Sequence, residues 1–228
     1  MERLLASIKI TVNDKLYIKD PESSELGKRI VEHSILMIHD MGFENFTFRK
    51  LGTQIKSNES SVYRYFESKQ KLLLYLTSWY WGWLEYRLVF ATNGIPDPGQ
   101  KLAKAIEIVT QTTVKDLVFA HINEELLNKI VINEFSKSYL TKEVDTKNKE
   151  GYFGVYKRLV TRISEMIQAV DADYGYPSSL ASTILEGSLH QHFLKDHFAS
   201  LTDCHEDEQP TKYFTDLVFN RLNNQPHV

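Results

Sequence analysis

The chain has 228 residues, 42% of them hydrophobic, a single cysteine and a formal net charge of −3. That length and apolar share bury a real core and exclude a disordered polymer, while the lone Cys204 excludes an intrachain disulfide. No succession of cationic, apolar and small residues marks the N-terminus as a secretory leader. The longest uncharged apolar run, Leu72 to Leu84, falls short of the roughly 20 residues of a bilayer span, so a reducing, cytoplasmic location away from membrane is expected.

Residues 6–19 differ in pattern from the rest of the chain. Ile8, Ile10 and Val12 alternate with polar neighbours, Asn13-Asp14 can turn the chain, and Leu16 and Ile18 alternate again, which predicts a short β-hairpin or an extended arm. A lone hairpin is marginal in water, so this segment must pack on the body or on a partner subunit. The period then becomes helical. Ile30, Ile35, Ile38 and Met41, with Val31 and Ser34 between them, mark a first helix that Gly42 stops. Thr47 caps a second helix to Ile55, Asn58 a third to about Phe66, and Ser68 a fourth that runs towards Ala91. Two short helices in close succession behind a longer one are the parts of a helix-turn-helix.

Between Asn45 and Lys71 six basic residues (Arg49, Lys50, Lys56, Arg64, Lys69, Lys71) face two acidic ones (Glu59, Glu67), so this segment is +4 and the rest of the chain −7. Such a patch either draws a polyanion to one face or is a solvated helix surface, and charge taken alone favours the second.

The residue pattern of the segment is more specific than its charge. The run TFRKLGTQIKSNESSVYRYFESKQKLL from Thr47, preceded by ILMIHDMGFENF, resembles the DNA-binding signature of the TetR (tetracycline-repressor) family over residues 24–76 without a gap. The resemblance implies an all-α fold: an N-terminal extension over 1–23, a three-helix helix-turn-helix DNA-binding domain over 24–72, and a helical ligand-binding and dimerisation domain over 73–228. It also implies a homodimer through the last two long helices, a repressor on a palindromic double-stranded operator, and release by a largely apolar small-molecule inducer.

Residue chemistry agrees with those roles. Thr47 and Arg49 open the second helix, where amides and a guanidinium can meet a phosphate or a base edge. Tyr63, Arg64 and Tyr65 lie on the later part of the recognition helix, and Lys69 matches a phosphate-binding lysine of the family; such contacts set register and salt dependence. Sequence choice then falls to Arg49 with Glu59, Ser60 and Ser61 in the first recognition turn. Glu59 either accepts from a cytosine amino group or only complements the helix dipole, and the serines are also good helix starters.

The chain departs from the family at Lys56, where many members have glycine, at Ser57, where they have an apolar residue, and at Glu59, often lysine. A left-handed lysine costs about 1–2 kcal/mol. The carboxylate weakens the general pull on phosphate, so the operator is unusual or binding is weak. The rival reading is a TetR fold that has lost DNA binding and serves as a ligand- or protein-binding module.

Further along, Asp97 and Pro98 start a helix whose Leu102, Ile106, Val109, Thr113 and Leu117 share a face. A polar stretch over 141–150 precedes a helix carrying Tyr152, Tyr156, Leu159, Ile163, Met166 and Val170. DADYGYP introduces a helix from Ser178 to Ala199, and Pro210 introduces the last, with Phe214, Leu217, Val218 and Leu222. Trp79, Trp83 and Tyr86 fall on one side of the fourth helix. They are core packing or the wall of an inducer pocket, with Thr113, Tyr152 and Tyr156 added by helix period alone. His190, His192, Asp196, His197, Cys204 and His205 raise an enzyme or metal reading, but the first two histidines lie about 200° apart on a helix and no catalytic motif accompanies them. No catalysis, metal or cofactor is expected.

Overall fold

The computed structural model describes residues 10–113 and 119–223. Among them ten α-helices occur and no strand: α1 Glu25–Asn45, α2 Phe48–Gln54, α3 Glu59–Tyr63, α4 Lys69–Thr92, α5 Pro98–Thr110, α6 Glu124–Tyr139, α7 Val144–Lys149, α8 Gly154–Val170, α9 Pro177–His197 and α10 Gln209–Asn223. None is long and apolar enough to cross a membrane among the described residues.

Local chemistry sets the helix starts. Ser24, Thr47, Asn58, Ser68 and Asp97 each accept a backbone N–H three residues on, at 3.2, 3.2, 2.8, 3.2 and 2.7 Å. Each satisfies a donor that the helix itself leaves open. Gly42 breaks the last turn of α1 with φ 76°, a conformation that favours glycine.

The hairpin reading is corrected over residues 10–19; residues 6–9, with Ile8, lie outside the described residues. Asn13 Oδ1 accepts the Lys15 N–H at 2.9 Å and folds Asp14–Leu16 into a 3-10 turn. The alternation serves packing instead: Ile10, Val12 and Leu16 are buried and Ile18 is exposed. The Ile18 N–H donates to the Tyr65 carbonyl at 2.7 Å, so the segment is an arm laid on the body.

Two helices go beyond the sequence reading. Asn123 caps α6 through the Leu126 N–H at 3.0 Å, and the polar stretch over 141–150 contains α7. α5 ends at Thr110, so Thr113 lies past it, and Leu117 is outside the described residues.

The chain clusters into two compact units, Met1–Gly82 with Thr113–Val155 and Trp83–Thr112 with Tyr156–Val228. In the first, α1 packs on α2 and α6, and α2 on α3, around Ile30, Ile35, Phe46, Leu51 and Phe66. In the second, α9 and α10 pack on α5 and on each other, burying Ile106, Ile184, Leu185, Phe214 and Val218.

Candidate nucleic-acid interface

α2 and α3 cross closely because Gly52 has no side chain. A Cβ there would lie 3.1 Å from the Asn58 carbonyl carbon and the Glu59 nitrogen and 3.2 Å from the Ser57 oxygen, all backbone atoms. The Ser57 N–H donates to the Gly52 carbonyl at 2.8 Å and closes the turn. Lys56 occupies the turn with φ 52°, the left-handed backbone expected for a non-glycine there. From α1, the Arg29 guanidinium donates to the Ile55 carbonyl and holds the end of α2.

On this frame Thr47, Arg49, Lys50, Lys56, Ser60, Tyr63 and Arg64 are exposed, and Glu59 and Ser61 are half-buried. Tyr63 is 47% exposed and rests edge-on against Phe48, with centroids 5.0 Å apart, so its hydroxyl end is presented by a packed ring. Lys50 Nζ donates to the Asn45 carbonyl at 2.8 Å. Asn58 Oδ1 takes the Ser60 hydroxyl at 2.8 Å and the Ser61 hydroxyl at 2.6 Å as well as the Ser61 N–H. With their protons turned to Asn58, both serines keep lone pairs for an incoming donor.

Two of the expected contact residues point elsewhere. Tyr65 is 3% exposed, its hydroxyl lies 2.8 Å from Ser24 Oγ, and Lys19 sits over its ring. α3 ends at Tyr63, so Tyr65 follows the turn after the helix and faces inward. Lys69 Nζ donates to the carbonyls of Phe43 at 3.0 Å, Glu44 at 3.1 Å and Phe46 at 3.2 Å. An ammonium has three N–H groups, and all three serve the carbonyl end of α1.

That end of α1 is gripped a second time from α6. Glu134 Oε1 accepts the Phe43 N–H at 3.2 Å, and Lys137 bridges Glu134 at 2.7 Å and Glu44 at 3.0 Å. The Glu134 hydrogen bond, against partial burial, raises Lys137 above the ordinary lysine range, and Lys137 holds Glu44 below the usual carboxylate range. No sequence signal pointed to this network, since residues 91 apart have no periodicity in common.

Of the aromatic residues considered as pocket walls, Trp79, Trp83 and Tyr152 are buried and Tyr86 and Tyr156 are half-buried. In the first unit Trp79 is buried edge-on to Phe119 at 5.1 Å, Thr113 is buried, and Tyr152 lies under the Lys71 ammonium at 4.3 Å. Burial pushes the Tyr152 phenol up to about 12. In the second unit Arg87 covers Trp83 at 4.9 Å, Tyr86 tilts against Phe90 at 6.1 Å, and Tyr156 donates to Glu186. Of the histidines, His192 is buried with Nε2 2.8 Å from the Thr110 carbonyl, and His190 and His197 flank Phe193. Among the described residues no three His, Cys, Asp or Glu side chains converge to hold a metal ion.

Residues 30–76 match the family model of bacterial regulatory proteins, tetR family. No curated protein matches the chain. Among solved structures it is similar to AibR in complex with isovaleryl coenzyme A and operator DNA, with TM-score 0.57 and 17% identity over 84% of this chain and 98% of that one. It is similar to apo AibR, with TM-score 0.56 and 14% identity over 83% and 96%. It is also similar to PfmR, a TetR family transcriptional regulator from Thermus thermophilus, with TM-score 0.57 and 13% identity over 84% and 97%. The fold is the one these regulators share, an N-terminal helix-turn-helix followed by a helical C-terminal domain.

Proposed function

We propose that this chain is a DNA-binding transcriptional regulator, a repressor that grips a palindromic operator as a homodimer and leaves it when a small-molecule inducer binds. The observation that carries this reading is the outer face of α2, α3 and the residues that flank them: Thr47, Arg49, Lys50, Lys56, Tyr63 and Arg64 stand exposed in a chain that is acidic elsewhere. Arg64 and Tyr63 are suited to phosphates. Arg49 reaches a phosphate or the acceptor edge of guanine. Glu59, Ser60 and Ser61 form a turn of acceptors, which pairs with the amino groups of cytosine or adenine.

A single reader makes few phosphate contacts, and two held about one DNA turn apart multiply affinity through effective concentration. Tyr176, Phe198, Leu201, Tyr213 and Leu217, on or beside α9 and α10, are large apolar side chains left exposed on one chain. They support those helices as the dimer surface. The AibR structure holds an acyl-coenzyme A together with operator DNA, which supports a small-molecule effector for this fold. An inducer would select a conformation whose two recognition helices are mis-spaced for successive major grooves.

A second reading, a ligand- or protein-binding module without DNA affinity, is favoured by one set of facts: Glu59 is acidic, Tyr65 faces inward and Lys69 is fully engaged, which thins the phosphate contacts. Gel retardation of the DNA upstream of the chain's own gene, in excess random-sequence DNA, separates the two. A retarded complex that survives the competitor supports the regulator; its absence favours the module.

A further inference from the structure

α8 and the first turn of α5 line a polar groove in the second unit. Lys157, Arg158, Thr161, Arg162 and Glu165 border one concavity of about 330 Å³. Pro98 and Lys101 with Arg162, Glu165, Met166 and Ala169 border another of about 240 Å³. The two share Arg162 and Glu165 and are taken together as one trough.

Its floor explains why two arginines can stand side by side. Glu85 of α4 is buried beneath them, with its side chain 11% exposed. It accepts from Arg158 Nε at 3.3 Å and Nη2 at 2.9 Å, and from Arg162 Nε at 2.8 Å. The carboxylate cancels part of the repulsion and fixes the plane of each guanidinium. Each guanidinium has five N–H groups, so most of Arg162's donors and more than half of Arg158's are left over. The arginine side chains stay 55% and 44% exposed, facing the trough. Lys101 and Lys157 border it without a carboxylate partner among the described residues. Four cations thus meet two carboxylates, Glu85 and Glu165, and the positive excess is the complement of a dianion.

We infer that this trough binds a small phosphate-bearing anion. The phosphate sits on the free donors of Arg158 and Arg162 with Lys157 and Lys101 beside it, and the rest of the molecule lies along Thr161, Met166 and Ala169. Phosphate is preferred over a single carboxylate because its three terminal oxygens and charge of about −2 match the surplus of donors and positive charge. A trough of a few hundred Å³ has the volume of a small-molecule site, whereas a duplex backbone calls for a convex or open surface. The inference does not depend on the regulator reading.

The test uses the full chain in isothermal titration with inorganic phosphate and with glycerol 3-phosphate, against sodium chloride at matched ionic strength and against a short random DNA duplex. Saturable heats with both phosphates and none with chloride are expected; equal affinities identify free phosphate as the natural source, and a tighter ester identifies a phosphorylated metabolite. Lys157→Gln and Lys101→Gln touch neither Glu85 nor the core, and each should weaken phosphate binding by about tenfold while the unliganded melting temperature holds. Three results overturn the proposal: phosphate heats no different from chloride, phosphate affinity unchanged in both lysine variants, or a duplex that binds through Lys157 while phosphate does not bind.

Discussion

Lys56 occupies the turn between α2 and α3 in a left-handed conformation, φ 52°, that a Cβ opposes. Lys56→Gly should therefore raise stability by about 1 kcal/mol, read as a higher urea midpoint with an unchanged slope. Lys69 has an internal task. Lys69→Ala removes three donors from the carbonyl end of α1 and should lower stability by about 1–3 kcal/mol, with the salt dependence of any DNA binding left as it was. The alternative role, a phosphate contact, would instead lower that salt dependence and leave the urea midpoint in place. Pattern alone could not separate these roles. Tyr63 and Tyr65 are spaced as if on one helix, but α3 ends between them, and the turn sends one ring outward and the other to Ser24. The exposure of Thr47, Arg49, Ser60, Tyr63 and Arg64 was legible because the apolar Phe48, Leu51 and Val62 of the same helices take the inner face.

At the scale of elements, the starts of α2, α3 and α4 were legible to the residue, since Thr47, Asn58 and Ser68 cap by chemistry local to a few positions, while α3 ends at Tyr63 and not at the expected Phe66. α6 was not. Its inward face mixes Leu127, Ile130 and Val131 with buried Glu124, Asn128, Glu134 and Ser138, and Glu134 and Ser138 meet Phe43 and Thr77, far away in the chain. Asn128, for instance, donates to the Tyr80 hydroxyl at 2.7 Å. The N-terminal alternation misled for a related reason: burial of every second residue describes an arm on a surface as well as a strand. On α9, burial pushes the His192 imidazole below its ordinary value of 6.5, outweighing the Thr110 carbonyl; Lys195 adds to the lowering while Asp207 and Asp196 oppose it. A histidine depressed in the folded state contributes stability that is full above 6.5 and is lost as pH falls through its folded value. Urea denaturation should show stability declining as pH drops from 6.5 towards that folded value, and His192→Gln should flatten this part of the profile.

For the whole molecule, the separation of charge is the physical premise of the proposed function: a +4 reader segment on a chain that is −7 elsewhere orients the approach to a polyanion. The second premise is duplication. Leu217→Glu places a charge on the exposed apolar surface of α10 and should shift a dimer to monomer in sedimentation equilibrium while helix content by circular dichroism stays the same. A monomer should bind upstream DNA far more weakly than the parent dimer.

The most direct test is the affinity of the full chain for DNA from upstream of its gene, measured by fluorescence anisotropy across a series of salt concentrations, with Arg64→Ala alongside. The account predicts a steep linear fall of log affinity with log salt, and a slope reduced by about one per exposed arginine removed from each reader. Binding that ignores salt, or a slope that Arg64→Ala leaves untouched, would contradict it.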